Sequence, residues 1–324
     1  MRVGKLSEAT LQRAVLRQIR YQRDELQKGA ALGRGSAFFQ FNKNDVVLCV
    51  QNQALPISYG VGYVFYAAVN NLKASFAEPV GIEVSMTLPV DMEEEDLKKF
   101  MQELTKLCLE ENVALSGGHT SVSSFVKCPI VGITAFGTPG LCKAKEKTGC
   151  LEIVMSKPMA LSGTSMLFHA KQESLLTRFR YDYVEKAAHM KEFLSLKKEW
   201  DVLKDFSVYE MHDLGEGGVF GGLWELTRTL NCGIDIDIKA IPVCQETIEI
   251  CEFLKCNPYR LHSLGSLLIV SRDAEELKEA LCAQGCEAEI IGKITDNKDK
   301  KVRNDDEISF LDKTSKDSVF DYIL

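Results

Sequence analysis

From Val46 through Leu72 the chain carries no Asp, Glu, Lys or Arg. An uncharged run of that length belongs either in the interior of a soluble fold or in a bilayer. Gln51, Asn52, Gln53, Pro56, Asn70 and Asn71 interrupt it, and a membrane span of about 20 apolar residues does not tolerate amides at that density. The segment is therefore expected in a protein core. The first 27 residues carry a charge every few positions and no apolar stretch of the signal-peptide type. The expectation is a cytoplasmic chain without a membrane partner.

Lys and Arg number 39 against 46 Asp and Glu, a net charge of −7. A chain whose task is holding nucleic-acid phosphates needs the opposite balance or a basic face. Hydrophobic residues at 45% and charged residues at 26% are ordinary globular values. The 324 residues suggest two domains, at roughly 150 residues each. The 11 cysteines are odd in number and include no CxxC pair, so they read as reduced thiols, mostly filling cores.

Periodicity divides the chain into two halves of alternating helix and strand. Leu6, Leu11, Val15 and Ile19 open it at helical spacing. Strands are expected at 46–50, 81–88, 113–116 and 130–136, with helices at 63–74 and from Asp91–Glu94, which resembles a capping box, to Asn112. A glycine- and lysine-rich stretch at 138–149 marks the approach to a boundary. Beyond it come strands at 151–156, 208–211, 233–238, 266–270 and 288–291. The expected helices are 164–171, a long one at 183–203, then 220–230, 245–255 and 274–284. Residues 295–316 are rich in charge and are expected as a surface-lying tail.

Two short motifs suggest chemistry. Ser116-Gly117-Gly118-His119-Thr120 follows a strand. A glycine pair turning at a strand end lets backbone N–H groups approach a ligand, with His119 and Thr120 adding side-chain donors. A tight turn beside a packed histidine fits the same residues. The second motif is Met211-His212-Asp213-Leu214-Gly215-Glu216-Gly217-Gly218, leading into a helix. Free N–H groups there would hold an anion, and Asp213 or Glu216 a hard cation. Ordinary helix capping also uses acids, although the glycines between Gly215 and Gly222 exceed what a cap needs.

GGHT in the first half and MHD-x-x-EGG in the second, in this order, resemble the AIR synthase superfamily. That group includes AIR synthase, selenophosphate synthetase, thiamine-phosphate kinase and the hydrogenase maturation factor HypE. The HypE-like, AIR synthase-related branch is the nearest in pattern. Supporting stretches are Gly4-Lys5-Leu6, Ala68 to Leu72, Ala77-Glu78-Pro79, Pro129 to Gly132, Ile153 to Lys157, Leu264 to Ile269 and Gly285 to Lys293. The resemblance implies an α+β fold of two domains, residues 1–145 and 146–295, followed by a polar tail at 296–324. It also implies a homodimer joined through the N-terminal domains, and MgATP held between domains to phosphorylate an oxygen or selenium nucleophile. Carried over by position, the nucleotide-side residues are Lys5, Gly35, Gln51, Asn71, Gly117, Gly118, His119, Thr120, Asp213, Gly215, Glu216 and Gly217. The catalytic candidates are Asp213, Glu216 and His119, with Asp213 as metal ligand.

The departures from that pattern carry as much information. An acidic Gly-rich segment of the superfamily corresponds here to Gly33-Arg34-Gly35-Ser36-Ala37, a Thr-Asp to Val50-Gln51, and an Asn-Asp to Asn70-Asn71. Magnesium takes carboxylates together with phosphates, and neutral amides do not offset its charge. Arg34 even adds a cation, suited to an anion without metal. HypE also uses a C-terminal cysteine, whereas the last cysteine here is Cys286, so its thiocarboxamide dehydration is not expected by that route. The expected function is a HypE-like protein with a degraded MgATP site that binds an anionic or nucleotide-like molecule. Two other readings stay open: an ATP-dependent enzyme with Asp45, Asp213 and Glu216 as substitute ligands, and a non-catalytic scaffold or heterodimer partner.

Overall fold

The uncharged run becomes two elements with different surroundings. In a computed structural model that describes residues 4–5, 8–21, 23–28, 38–39, 46–54, 59–141, 149–312 and 317–323, Val47–Ala54 is a strand and Gly62–Ala74 a helix. The helix is buried nearly throughout, as its uncharged stretch to Leu72 requires: Phe65, Ala68, Val69, Asn70 and Leu72 are fully inaccessible, and the one charged residue, Lys73, is buried against Glu111. The strand differs from the expectation of complete burial. Its side chains alternate, and Leu48 and Val50 are 64% and 67% exposed. Among the described residues no helix is long and apolar enough to cross a membrane.

Two compact units result, 1–73 with 77–140, and 74–76 with 141–324. The first contains β1 (Gly4–Lys5), α1 (Glu8–Thr10) with irregular helical turns continuing to Gln18, and the short β2 (Leu26–Lys28) and β3 (Phe38–Phe39). It then runs through β4 (Val47–Ala54), α2 (Gly62–Ala74), β5 (Ala77–Leu88), α3 (Glu94–Glu110), β6 (Ala114–Val122) and β7 (Ile130–Pro139). Its sheet has the order β1-β6-β5-β7-β4, with β5 and β6 parallel and α3 as their crossover. α3 buries Leu97, Phe100, Met101, Leu104 and Cys108, a three-and-four spacing that makes one apolar stripe. Glu94, Glu95 and Asp96 lie in its first turn, where the helix dipole favours them. The capping box does not form, because Glu93 rather than Asp91 precedes the helix and no side chain caps it.

The second unit contains β8 (Glu152–Ser156), α4 (Leu161–Leu175), α5 (Tyr181–His189), α6 (Lys197–Leu203), β9 (Glu210–Asp213), α7 (Gly218–Leu230) and β10 (Gly233–Asp237). It continues with α8 (Gln245–Leu254), β11 (Leu267–Ser271), α9 (Ala274–Ala283), β12 (Ala288–Thr295), β13 (Lys300–Asn304) and β14 (Glu307–Phe310). The sheet order is β14-β13-β10-β12-β8-β11-β9. Trp200, Leu203, Leu277 and Leu281 pack on Val154, Leu267 and Ile269 to form its core.

Two expectations fail here for identifiable reasons. The long helix at 183–203 is broken after Phe193, because the buried Lys157 Nζ donates to the carbonyls of Phe193 and Ser195, at 3.1 and 2.5 Å. Those oxygens are then not available to a helical ladder. The charged stretch after residue 295 is not a loose tail. β13 pairs in parallel with β10 and buries Val302, while Arg303 meets Asp235 at 2.7 Å and Lys300 lies over the Trp224 ring. Polar composition suits a strand near the sheet edge whose charges find partners on its neighbours. Asp235 of β10 is one of those partners.

Candidate functional site

The glycine pair of the first motif is not a turn. Gly117 and Gly118 lie inside β6, where the pairing with β5 slips: Ile82 faces Leu115, but Glu83 faces Gly117. Ser116 is the extra residue, fully buried, and its hydroxyl donates to the Ile82 carbonyl at 2.9 Å. Gly118 has φ +150°, and a Cβ there would sit 1.8 Å from the Val84 carbonyl oxygen. The glycines serve a β-bulge and a close strand approach, a use as demanding as a ligand cradle.

Register then distributes the neighbouring candidates between the two faces of the sheet. His119, Ser85, Gly132 and Asn52 lie opposite one another across β6, β5, β7 and β4, and His119, Ser85 and Asn52 are exposed. Thr120 points the other way and is 9% exposed. Gln51, half-buried, shares the inward parity with Cys49, whose thiol donates to the Ala68 carbonyl of α2 at 3.1 Å. The half-buried Asn71 belongs to that helix. The structure thus groups Thr120, Gln51 and Asn71 with the inner side and separates His119 from them. Lys5 pairs with Ser121 in the ladder between β1 and β6, beside Thr120 in sequence. Gly35, Arg34 and Asp45 lie outside the described residues.

The second motif is positioned by β9 and α7. Asp213 ends β9 opposite Leu267 of β11, Leu214 is buried, and Glu216 is exposed. Gly217 precedes α7 with φ +86° and Gly218 follows with φ +67°. A Cβ on Gly218 would meet the Tyr259 carbonyl at 2.6 Å, and one on Gly222 would meet Leu214 at 2.1 Å, while Gly215 has open space around it. Backbone angle and close packing account for Gly217, Gly218 and Gly222, but not for Gly215. Asp213 and Glu216 share one turn of chain, and His212 beside them binds Glu225 at 3.0 Å, holding that carboxyl below its ordinary range.

The N–H groups at the start of α7 were expected to be free for a ligand, and here the structure corrects the sequence reading. The Gly217 N–H donates to Asp317 Oδ2 at 2.7 Å, and Asp317 Oδ1 accepts from Val319 and His262 at 2.8 and 3.2 Å. The acid at this helix start is neither Asp213 nor Glu216. Asp317 is 1% exposed, and burial, outweighing three N–H bonds, raises its carboxyl to about 6. Burial also lowers His262 to about 4, against the opposing pull of Glu216. The His262 ring accepts or donates a 2.7 Å bond with the buried Ser162 hydroxyl. Sequence reasoning missed Asp317, Ser85 and Asn52. The last two follow a two-residue alternation that could have flagged them, whereas nothing local to Asp317 announces its role.

Among the described residues no three His, Cys, Asp or Glu side chains are placed to hold a metal ion. In the first unit, the described side chains at two positions where the superfamily pattern has acids, Gln51 and Asn71, are amides, weaker ligands for magnesium than carboxylates.

The sequence matches the AIR synthase related protein family in both parts, the N-terminal domain over residues 54–138 and the C-terminal domain over residues 151–305. A protein of Methanocaldococcus jannaschii named for hydrogenase expression and formation is 26% identical over 272 residues, 80% of this chain and 79% of its own. Among solved structures, Escherichia coli HypE superposes with a TM-score of 0.78 at 17% identity, covering 94% of this chain and 97% of that one. A structure of the hydrogenase maturation protein HypE in complex with ATP gives 0.76 at 17% identity, over 98% and 97% of the two chains. Matched in both domains, with the two-domain α+β fold of HypE, the chain belongs to the AIR synthase-related family.

Proposed function

We propose that this chain is a HypE-like protein whose magnesium-dependent phosphotransfer site has lost its carboxylates and which binds an anionic or nucleotide-like small molecule. The observation that carries the reading is the content of the inner side of the first sheet. Gln51 and Asn71 stand where the superfamily pattern has acids, within a fold that otherwise matches HypE in both parts. Amides and glycine N–H groups suit a phosphate or carboxylate ligand without a bridging cation. Thr120, Gln51 and Asn71 are the proposed contacts in the first unit; the segment Asp213–Gly217 of the second unit, taken by itself, is a separate proposed anion contact. A nucleotide is the favoured class, since HypE itself is described in complex with ATP. Bound ATP would offer its phosphate groups to these donors.

Titration calorimetry of the full chain with ATP and ADP, each with and without magnesium, tests the reading. Binding that is unchanged by magnesium is expected. Tight binding that requires magnesium and is lost in Asp213→Ala would overturn it in favour of an ATP-dependent enzyme. No binding up to millimolar nucleotide would overturn it in favour of a scaffold.

We further propose a homodimer formed through the outer face of the first sheet. Leu48 and Val50 are exposed there beside the Asn52–Ser85–His119 row, and β4 is an edge strand. Exposed apolar side chains on a sheet edge call for a partner. His119 then belongs to a subunit contact rather than to catalysis. Free thiols at the described cysteines suit the cytoplasm.

A further inference from the structure

α8 and α9 end in the same way, and each has two cysteines around that end. α8 closes with Lys255 at φ +58°, the Cys256 N–H bonded to the Cys251 carbonyl at 2.9 Å and the Lys255 N–H to the Glu252 carbonyl at 3.2 Å. This pair of bonds is a Schellman turn, which lays the second residue beyond the helix against the side chain whose carbonyl it binds. At α8 both of those residues are cysteines. α9 closes with Gly285 at φ +74°, and there the Cys286 N–H binds the Leu281 carbonyl at 3.0 Å. Cys286 is thus laid against Leu281, while the Cys282 thiol donates to the Ala288 carbonyl at 3.8 Å. One residue of offset brings two thiols together at α8 and sends them to different partners at α9.

At α8 the Cys251 thiol donates to the Cys256 sulfur. Cys251 is 1% exposed and Cys256 half-buried. The bond keeps the proton on Cys251 and raises that thiol, and it holds Cys256 below the ordinary range against its burial and the Asp317 carboxylate. The thiolate is the nucleophilic form of cysteine. The sulfur within reach of solvent is therefore the more reactive one, and the buried sulfur touches it.

We propose that Cys251 and Cys256 are a site of reversible oxidation by a hydroperoxide, in which Cys256 reacts first and Cys251 closes a disulfide across the end of α8. The Cys256 sulfur attacks one oxygen of the peroxide and the O–O bond breaks. The other oxygen leaves with the thiol proton as water or an alcohol, and Cys256 becomes a sulfenic acid. The Cys251 sulfur then attacks the Cys256 sulfur, the S–O bond breaks, and the hydroxyl leaves as water with the Cys251 proton. Two electrons pass from the two thiols to the peroxide. The cross-link pins the turn whose Leu254 carbonyl accepts the Tyr322 hydroxyl at 2.7 Å, so closure also bears on the segment after Asp317. The site is independent of the ligand proposed above.

The test treats the reduced full chain with equimolar hydrogen peroxide, blocks remaining thiols by alkylation, and maps tryptic peptides by mass spectrometry. Lys255 lies between the two cysteines, so trypsin separates them unless a disulfide joins the fragments. The joined fragments are expected to form about tenfold faster than any oxidation at the exposed Cys150 and Cys282. Dithiothreitol should restore both thiols. In Cys251→Ala the disulfide is lost and a Cys256 sulfenic acid accumulates, trapped by dimedone. Cys256→Ser should leave Cys251 reduced, and Cys282→Ser should change nothing. Where a variant folds poorly, the mapping of the unaltered chain still decides. Cys251 and Cys256 both remaining open to alkylation while Cys150 or Cys282 is oxidised would overturn the proposal, as would pairing of Cys256 with any other cysteine.

Discussion

Replacing Gly118 by alanine separates the two meanings a glycine pair can have. Its added Cβ would lie 1.8 Å from the Val84 carbonyl oxygen, where 3.0 Å is the practical limit. β6 would have to move from β5 by more than an ångström, and the ladder around the Glu83–Gly117 and Ser85–His119 pairs would open. Two or three backbone hydrogen bonds at about 1 kcal/mol each, with about 1–3 kcal/mol for an alanine at φ +150°, give about 3–6 kcal/mol in the first unit. The chain offers a clean assay. Both of its tryptophans, Trp200 and Trp224, lie in the second unit, so their fluorescence follows that unit, while far-ultraviolet circular dichroism follows both. In urea, Gly118→Ala should lower the dichroism transition of the first unit by about 1–3 M, at a slope of about 2–3 kcal/mol/M, and leave the fluorescence transition in place. Gly215→Ala, with nothing within 4 Å of the new methyl, should change neither transition by more than about 0.5 kcal/mol. An unchanged first-unit transition in Gly118→Ala would refute the packing argument and return the motif to a ligand-binding explanation.

Three further outcomes follow from the geometry. Lys157 meets the fully buried Glu199 at 2.9 Å. Lys157→Met should therefore cost about 3–5 kcal/mol in the fluorescence-detected unfolding of the second unit, and Lys157→Met with Glu199→Leu should recover much of that loss. For pH, His262 folds with its value lowered from 6.5 to about 4, so its contribution is lost as pH falls through that window. Asp317 folds with its value raised from 3.8 to about 6, so it has the opposite slope between about 4 and 6. The two nearly cancel in the unaltered chain, whereas Asp317→Asn should lose about 2–3 kcal/mol between pH 6.5 and 4 in urea titrations; equal pH profiles for the two proteins would count against this assignment. On the outer sheet face, Leu48→Glu with Val50→Glu should convert the proposed dimer to monomer in sedimentation equilibrium without lowering the melting temperature. Unchanged sedimentation would reject that interface.

Much of the architecture was legible because side-chain periodicity is a local property. α3 declared itself through Leu97, Phe100, Leu104 and Cys108, and β5 through the alternation from Gly81 to Leu88. The second motif falls between a strand and a helix as read, but the first lies inside β6 rather than after a strand, since a bulge with close strand approach and a ligand-binding turn both select glycine. Lys157 breaking the helix after Phe193 could not be read, because a lysine near one strand gives no sign of which carbonyls it will claim. Asp317 was hidden for the same reason at greater distance. β13 was misjudged because one buried residue, Val302, is too little apolar signal among so many charges.

The place of β8 in the second sheet bears on how the protein is made. Its residues Ile153 to Ser156 are buried, and both of its edges are covered, by β11 on one side and β12 on the other. Neither neighbour exists on the ribosome until Leu267 and Ala288 have been synthesised. During that interval a short apolar strand waits with two open edges, the condition under which nascent chains pair wrongly with one another. α4, α5 and α8, which pack together from intervening sequence, are completed first. Slow translation anywhere between Ser156 and Ala288 would prolong the wait, so codon choice over that stretch should bear on soluble yield.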